Sequence, residues 1–246
     1  MSGIRAGAWR DLIAPGLSAL IALAILIGLG TWQVERKSWK EGLIARIIAQ
    51  SRAEPVAPPA ATAWDPGDEF RHVRVSGHFL NDKETLVHGL AAGETPGRAL
   101  QGYYVITPFV RDEGGTILVN RGFVPTELKA QADRAAGLTE GETNVTGILR
   151  ASEPRAMFVP APDPAKGEWF NRDVAGIAAA RGLSDVAPYL IEADAVPGQT
   201  TWPRGGQLRV DLPNNHLQYA FTWYGIAACL VGVFGVFAWR RLHEPA

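Results

Sequence analysis

A single histidine stands at the start of the last apolar stretch of the chain. In LPNNHLQYAFTWYG, residues 212–225, His216 is followed by Tyr219 and Trp223, and no charged residue occurs between it and Arg240. Pro213, Asn214 and Asn215 form a helix-start signal that puts His216 in the first turn. The partial positive charge of a helix N-terminus disfavours an imidazolium, and neutral imidazole is the form that ligates a metal. At helical spacing His216, Ala220, Trp223 and Ala227 share one face, flanked by Tyr219. One nitrogen donor, two small residues and a flat aromatic suit a planar, apolar ligand with a metal at its centre. Haem, with the histidine as axial ligand, is the group of that description. The same residue types gather wherever a membrane helix meets the water interface, so an ordinary aromatic belt is the competing reading. A second stretch, LGTWQVERKSWK at 29–40, puts Trp32, Arg36 and Trp39 on one helical face. Arg36 could meet a carboxylate of such a ligand, or extend to lipid phosphate.

The elements that must position these residues are legible from hydropathy. Residues 12–34 and 217–239 are each 23 residues without a charge, enough for a helix to cross a hydrocarbon core of roughly 30 Å. The first is too long for a cleaved signal peptide and ends in no small-x-small site, so it reads as an uncleaved anchor. Two spans put both ends of the chain on one side. Arg5, Arg10, Arg240 and Arg241 favour the cytoplasm for those ends. Arg36, Lys37 and Lys40 argue the other way, but long domains translocate largely regardless of charge. Net charge is −1, so no electrostatic case exists for nucleic acid. Cys229 is the only cysteine, which excludes an intramolecular disulfide, a CxxC motif and a thiolate cluster.

The expected organisation is an N-terminal segment 1–11, span 12–34, an amphipathic helical continuation 35–50 at the membrane surface, a proline-rich connector 51–69, a β-rich domain 70–212, span 213–239 and a C-terminal segment 240–246. Prolines 55, 58, 59 and 66 make the connector an extended, semi-rigid spacer. From Phe70 the apolar period becomes two. FRHVRVSGHFL, ETLVHGL, GYYVITPFV, TILVNRGFV, TNVTGILR, PYLIEA and QLRVDL are strand candidates. RDEGGT should turn the third into the fourth as an antiparallel hairpin. One short helix is expected, capped by Asn171 and ended by Gly182. The fold class is thus membrane-anchored α+β, two transmembrane helices flanking a mainly antiparallel small barrel or curled sheet.

Within that domain no enzymatic signature occurs: no phosphate-binding GxxxxGK[ST], no GxGxxG, no HExxH and no GxSxG. The chain does not read as an enzyme. His72 and His78 share a strand face but lie about 20 Å apart along an extended chain, too far for one ion. They read as solvent-exposed, and His88 as structural or exposed. Arg121 stands in the nearly all-apolar TILVNRGFVP. It should cap a turn or pair with an acid such as Asp173, failing which it would serve a ligand carboxylate or phosphate.

LGTWQVERKSWK, GRALQGYYVITPF, GGTILVNRGFVP, LRASEPRAMFVP, EWFNRD and NNHLQYAFTWYGIA, in this order and spacing, resemble the Surfeit locus protein 1 family of cytochrome c oxidase assembly factors. The resemblance spans nearly the whole chain and implies two spans around a soluble domain. It implies a non-enzymatic role in building haem-copper terminal oxidases. Bacterial members are thought to bind haem a and to help insert it into the catalytic subunit. The family's proposed haem ligand falls on His216, and Arg36 matches the basic position after its G-x-W-Q block. The implied partners are the terminal oxidase catalytic subunit, haem a synthase or other assembly factors, and the lipid bilayer. No mitochondrial targeting segment is evident, so the expected setting is a bacterial inner membrane with the domain in the periplasm. A haem-free scaffold for oxidase intermediates is the alternative.

Overall fold

The computed structural model describes residues 9–92, 99–207 and 214–243. It divides into a helical unit, 1–46 with 211–246, and a β unit, 47–210.

In the helical unit, α1 (Ile13–Ser51) and α3 (His216–His243) are both long and apolar enough to cross a membrane. Leucine, isoleucine and alanine dominate α1, and its only proline is Pro15, in the first turn where no hydrogen bond is lost. Hydroxyls inside the apolar stretches bond backwards to their own helix: Ser18 donates to the Ala14 carbonyl and Thr31 to that of Ile27, each at 3.0 Å. The two helices lie antiparallel. A Cβ at Gly30 would meet the Tyr224 ring, one at Gly16 would touch Phe234 at 3.4 Å, and Arg241 comes within 3.5 Å of Asp11. Thr31 and Tyr224 share a hydrogen bond of 3.2 Å between their hydroxyls. α1 continues through 35–50 without a break. Its 39 residues extend roughly 58 Å at 1.5 Å per residue, well beyond the hydrocarbon thickness.

The β unit holds six strands: β1 (His72–Phe79), β2 (Thr85–Ala92), β3 (Ala99–Arg111), β4 (Thr116–Pro125), β5 (Thr143–Ala151) and β6 (Val186–Ala193). The sheet order is β1-β5-β6-β4-β3-β2, and a further β1–β3 pairing closes five strands into a barrel that β2 extends from β3. The β3–β4 hairpin is antiparallel as its turn residues require, while β4 and β6 run parallel. Closure depends on Gly77. Residues up to Gly77 pair with β5, and Gly77, His78 and Phe79 pair with β3. Gly77 has φ of 152°, and a Cβ there would collide with the carbonyl oxygen of Val110. The seventh strand candidate lies, beyond Gln207, outside the described residues, as do Pro213 and Arg5.

Val73, Val75, Phe109, Ile117, Val119, Val145, Leu149, Tyr189 and Ile191 form the main core. Leu118 and Leu190 point the other way, against Trp169 and the short helix α2 (Val174–Ala180) with Val174 and Ile177. β4 and β6 are therefore buried on both faces, which is why their sequences are mostly apolar and do not alternate. The N-cap of α2 is Asp173 and not Asn171: an Asp173 carboxylate oxygen accepts from the Gly176 N–H at 3.1 Å. Asn171 is engaged elsewhere, its amide donating to the Glu153 carbonyl at 2.8 Å. Gly182, with φ of 59°, ends the helix as expected.

The proline-rich segment is not a free spacer. Val56 donates to the His72 carbonyl and accepts from Arg74 N–H, forming a bridge beside β1. The Tyr189 hydroxyl donates to the Pro59 carbonyl, and Trp64 lies against the Tyr189 ring at 4.8 Å. This docking partly buries His72, where the sequence reading expected solvent exposure. Its Nδ1 is 2.7 Å from the Ala53 carbonyl and its Nε2 2.7 Å from an Asp194 carboxylate oxygen. His78 does remain substantially exposed, near Glu142 at 3.5 Å. His88 is structural: its ring sits 4.7 Å from that of Tyr103 and stacks on Phe170 at 4.9 Å.

Candidate functional site

α3 begins at His216, whose preceding Asn215 carbonyl accepts the Tyr219 N–H at 3.3 Å. The histidine is therefore fixed at the helix start. Its Nδ1 lies 2.7 Å from the Gln33 side-chain oxygen on α1. An amide oxygen only accepts, so Nδ1 carries the proton and Nε2 carries the lone pair. This is the arrangement by which an outer partner sets the tautomer of a metal-ligating histidine. Gln33, Lys40, Asn215, His216 and Tyr219 line a cleft of about 290 Å³.

Of the residues singled out in the sequence, the structure brings His216 and Tyr219 to this cleft. Trp32, Arg36 and Trp223 do not line it. The Arg36 guanidinium lies over the Trp39 ring at 4.1 Å, and Trp32 is exposed. Gln33 and Lys40 take the place given to them in the sequence reading. They are seven residues apart on α1 and so share one of its faces. Ala220 and Ala227 are buried. At helical spacing they lie on the same side of α3 as His216.

The β unit holds two buried charge clusters. Arg172 bridges two carboxylates, Glu153 through two hydrogen bonds and Glu192 through a third. Asn120 also donates to Glu192, at 2.6 Å. Burial pushes the Glu192 carboxyl up against the pull of Arg172. Burial acts the same way on Glu153, but there the hydrogen bonds and charge of Arg172 win and hold the carboxyl below its ordinary value. The second cluster is around Arg121, which pairs with neither Asp173 nor any other acid among the described residues. It donates to the Asn81 side-chain oxygen at 3.0 Å, the Gly137 carbonyl at 2.8 Å and the Thr139 hydroxyl at 3.2 Å. Its guanidinium carbon is 4.5 Å from the centre of the Phe79 ring.

Two helices long and apolar enough to cross a membrane, flanking in sequence a domain that folds as a closed β barrel, describe a membrane-anchored protein. Comparison with known proteins agrees. Residues 20–228 match the SURF1 family. Surfeit locus protein 1 of Mus musculus is 40% identical over 219 residues, 85% of this chain and 71% of that one. The Xenopus tropicalis protein of the same name is 41% identical over 237 residues, 89% of this chain and 74% of that one. A SURF1-like protein of Monosiga brevicollis is 39% identical over 238 residues, 91% and 87% of the two chains. The chain belongs to the SURF1 family, whose members are cytochrome c oxidase assembly factors and not enzymes.

Proposed function

We propose that this chain binds haem a through His216 Nε2 and assists its insertion into the catalytic subunit of a haem-copper terminal oxidase. The observation that carries the reading is the 2.7 Å bond between His216 Nδ1 and Gln33. It orients the ring and leaves Nε2 as a lone-pair donor, which is what an axial ligand requires. The residues fit the group in kind. Tyr219 offers an aromatic surface, and Lys40 lines the same cleft, where a cation suits haem carboxylates. Bound haem would supply the iron and macrocycle for the oxidase. This chain's residues hold, orient and release it, and His216 is the metal ligand. Trp223, Trp32 and Arg36 belong to the reading as outer contacts only. Its partners are the oxidase catalytic subunit and either haem a synthase or another assembly factor.

The setting proposed is a bacterial inner membrane with the β unit in the periplasm. Arg10, Arg240 and Arg241 support cytoplasmic ends. A reporter active only outside the cytoplasm should be active when inserted near Ala60 and silent after Ala246; the reverse would invert the topology.

The decisive experiment is His216→Ala in cells that make haem a. The variant should insert in the membrane at wild-type level, because the residue sits at a helix end. Its haem absorption bands should be lost or strongly shifted. Unchanged haem content and spectrum would remove the ligand assignment and leave the haem-free scaffold as the function.

A further inference from the structure

The β unit carries a buried positive charge without a counter-charge. Two guanidiniums, those of Arg121 and Arg134, lie near one carboxylate, Glu84. Arg134 takes it, at 2.5 Å, with its own side chain fully buried. Arg121 is 8% exposed and is held only by an amide oxygen, a carbonyl and a hydroxyl. Its ordinary pKa is pulled down to about 10, first by burial, with Arg134 adding to the fall and Glu84 opposing it. An unpaired buried charge is costly, and a hydrophobic residue would satisfy an apolar strand better. Nη2 gives both of its hydrogens, to Gly137 and Thr139, and Nη1 gives one to Asn81, which fixes the plane of the guanidinium and leaves one Nη1–H and the Nε–H. Gly122 next in sequence, with φ of 122°, brings the backbone of Arg204 against β4 and so forms one wall of the surroundings.

Arg121 opens onto a cleft of about 160 Å³ lined also by Thr139, Asn144, Thr146, Asp194 and Gln199. The wall groups already have partners. Asn144 accepts from Ser76 at 2.6 Å, Thr146 from Arg74 at 3.2 Å, and Gln199 donates to the Pro203 carbonyl at 2.9 Å. Asp194, the one acid in the wall, is held 2.7 Å from His72 Nε2, whose Nδ1 faces a carbonyl. Asp194 is thus engaged by His72 and not by Arg121. The unmet demand in the cleft is for negative charge at Arg121.

We propose that this cleft is a binding site for a small oxyanion group, a carboxylate or a phosphate, with Arg121 as the residue that takes its charge. It goes beyond the haem reading and does not depend on it, since every residue of the cleft lies in the β unit. A guanidinium held in one plane by three bonds offers either group a fixed positive charge and the remaining Nη1–H, which a flexible ammonium does not reproduce.

The test uses the full chain in detergent micelles, with arginine labelled by ¹⁵N. Inorganic phosphate and acetate are titrated separately, and sodium chloride of equal ionic strength is the control. At least one anion should shift the Arg121 side-chain resonance saturably and raise the unfolding midpoint of the β unit above the chloride control. Response to phosphate alone identifies a phosphate ligand, to acetate alone a carboxylate. Arg121→Lys should weaken the response at least tenfold. Thr139→Asp places a tethered carboxylate where Arg121 already donates. It should raise the midpoint without added anion and abolish the response, and it decides the matter if the lysine variant fails to fold. His216→Ala should leave the response intact. A wild-type response no greater than that to chloride would overturn the site, as would one unchanged in Thr139→Asp.

Discussion

Gln33 was not part of the sequence reading, and its replacement tests whether the histidine's orientation matters. Gln33→Leu keeps the size of the side chain on α1 and removes the acceptor that faces His216 Nδ1 at 2.7 Å. Two effects follow. An ordinary hydrogen bond contributes ~0.5–1.5 kcal/mol, roughly a 2–12-fold change in an equilibrium. An outer partner of a metal-bound histidine is worth more, about 10–100-fold in affinity, because the ring must otherwise be fixed and its tautomer selected at the moment of binding. His216 is only half-buried, so water can replace part of the lost bond. The expected loss of haem affinity is therefore about tenfold, near the lower end of the second range. Gln33→Glu should act oppositely on the iron. A carboxylate acceptor makes the imidazole a stronger donor and should lower the haem reduction potential. The assay is spectroscopic titration of the purified variants with haem, followed by a redox titration. The bond also ties α1 to α3, so thermal unfolding without haem gives the purely structural share. Wild-type affinity in Gln33→Leu, together with an unaltered potential in Gln33→Glu, would refute the idea that Nδ1 is anchored to serve Nε2.

Two further outcomes follow from the β unit. Gly77→Ala should destabilise the barrel by about 1–3 kcal/mol or more, because the added methyl meets the Val110 carbonyl and φ is positive. Urea unfolding followed by tryptophan fluorescence measures this, and a change within about 0.5 kcal/mol would show that β1 can close the barrel without that geometry. Glu153→Gln should flatten the acid limb of stability. Arg172 holds the Glu153 carboxyl below its ordinary 4.5, so its contribution is present above that value and is lost as pH falls through the depressed one. Glu192 is raised by burial and has the opposite sign: its contribution is present below the ordinary value and lost as pH rises through the raised one. As pH falls through the ordinary carboxylate range, the variant's unfolding midpoint should therefore drop less than the wild type's; parallel curves would refute the assignment.

The architecture was legible because it depends on periodicity. Two long uncharged stretches, a switch to period two at Phe70 and the RDEGGT turn are local signals, and the described strands follow them. What could not be read was set by contacts distant in sequence. The parallel pairing of β4 with β6 joins residues about seventy apart, such as Asn120 and Glu192, and no turn signal announces it. Extended proline geometry made 51–69 look like a spacer, yet extended backbone is also what can bridge to β1, and Val56 does so. Once that segment is docked, a strand face that alternation assigned to solvent is covered at its end, and His72 is held by Ala53 and Asp194. Alternation tells which face a residue is on, not what later lies over that face.

The candidate site divides along the same line. His216 and Tyr219 could be found because a histidine at the mouth of an uncharged helix is locally anomalous. Gln33 could not, because a glutamine among Trp32, Arg36 and Trp39 carries no anomaly of its own. Its meaning comes from α3 running antiparallel beside it, 183 residues later in the chain. The aromatic and cationic face that drew notice on α1 instead pairs internally, Arg36 on Trp39, as an i, i+3 spacing allows without any partner helix. Arg121 shows the converse. Its anomaly, a charge in an apolar strand, was visible, but among the described residues no acid pairs with it, because Asp173 caps α2 and Glu84 is claimed by Arg134. A buried cation left over after every nearby acid is engaged is a property of the folded charge set as a whole, and only the folded chain exposes it.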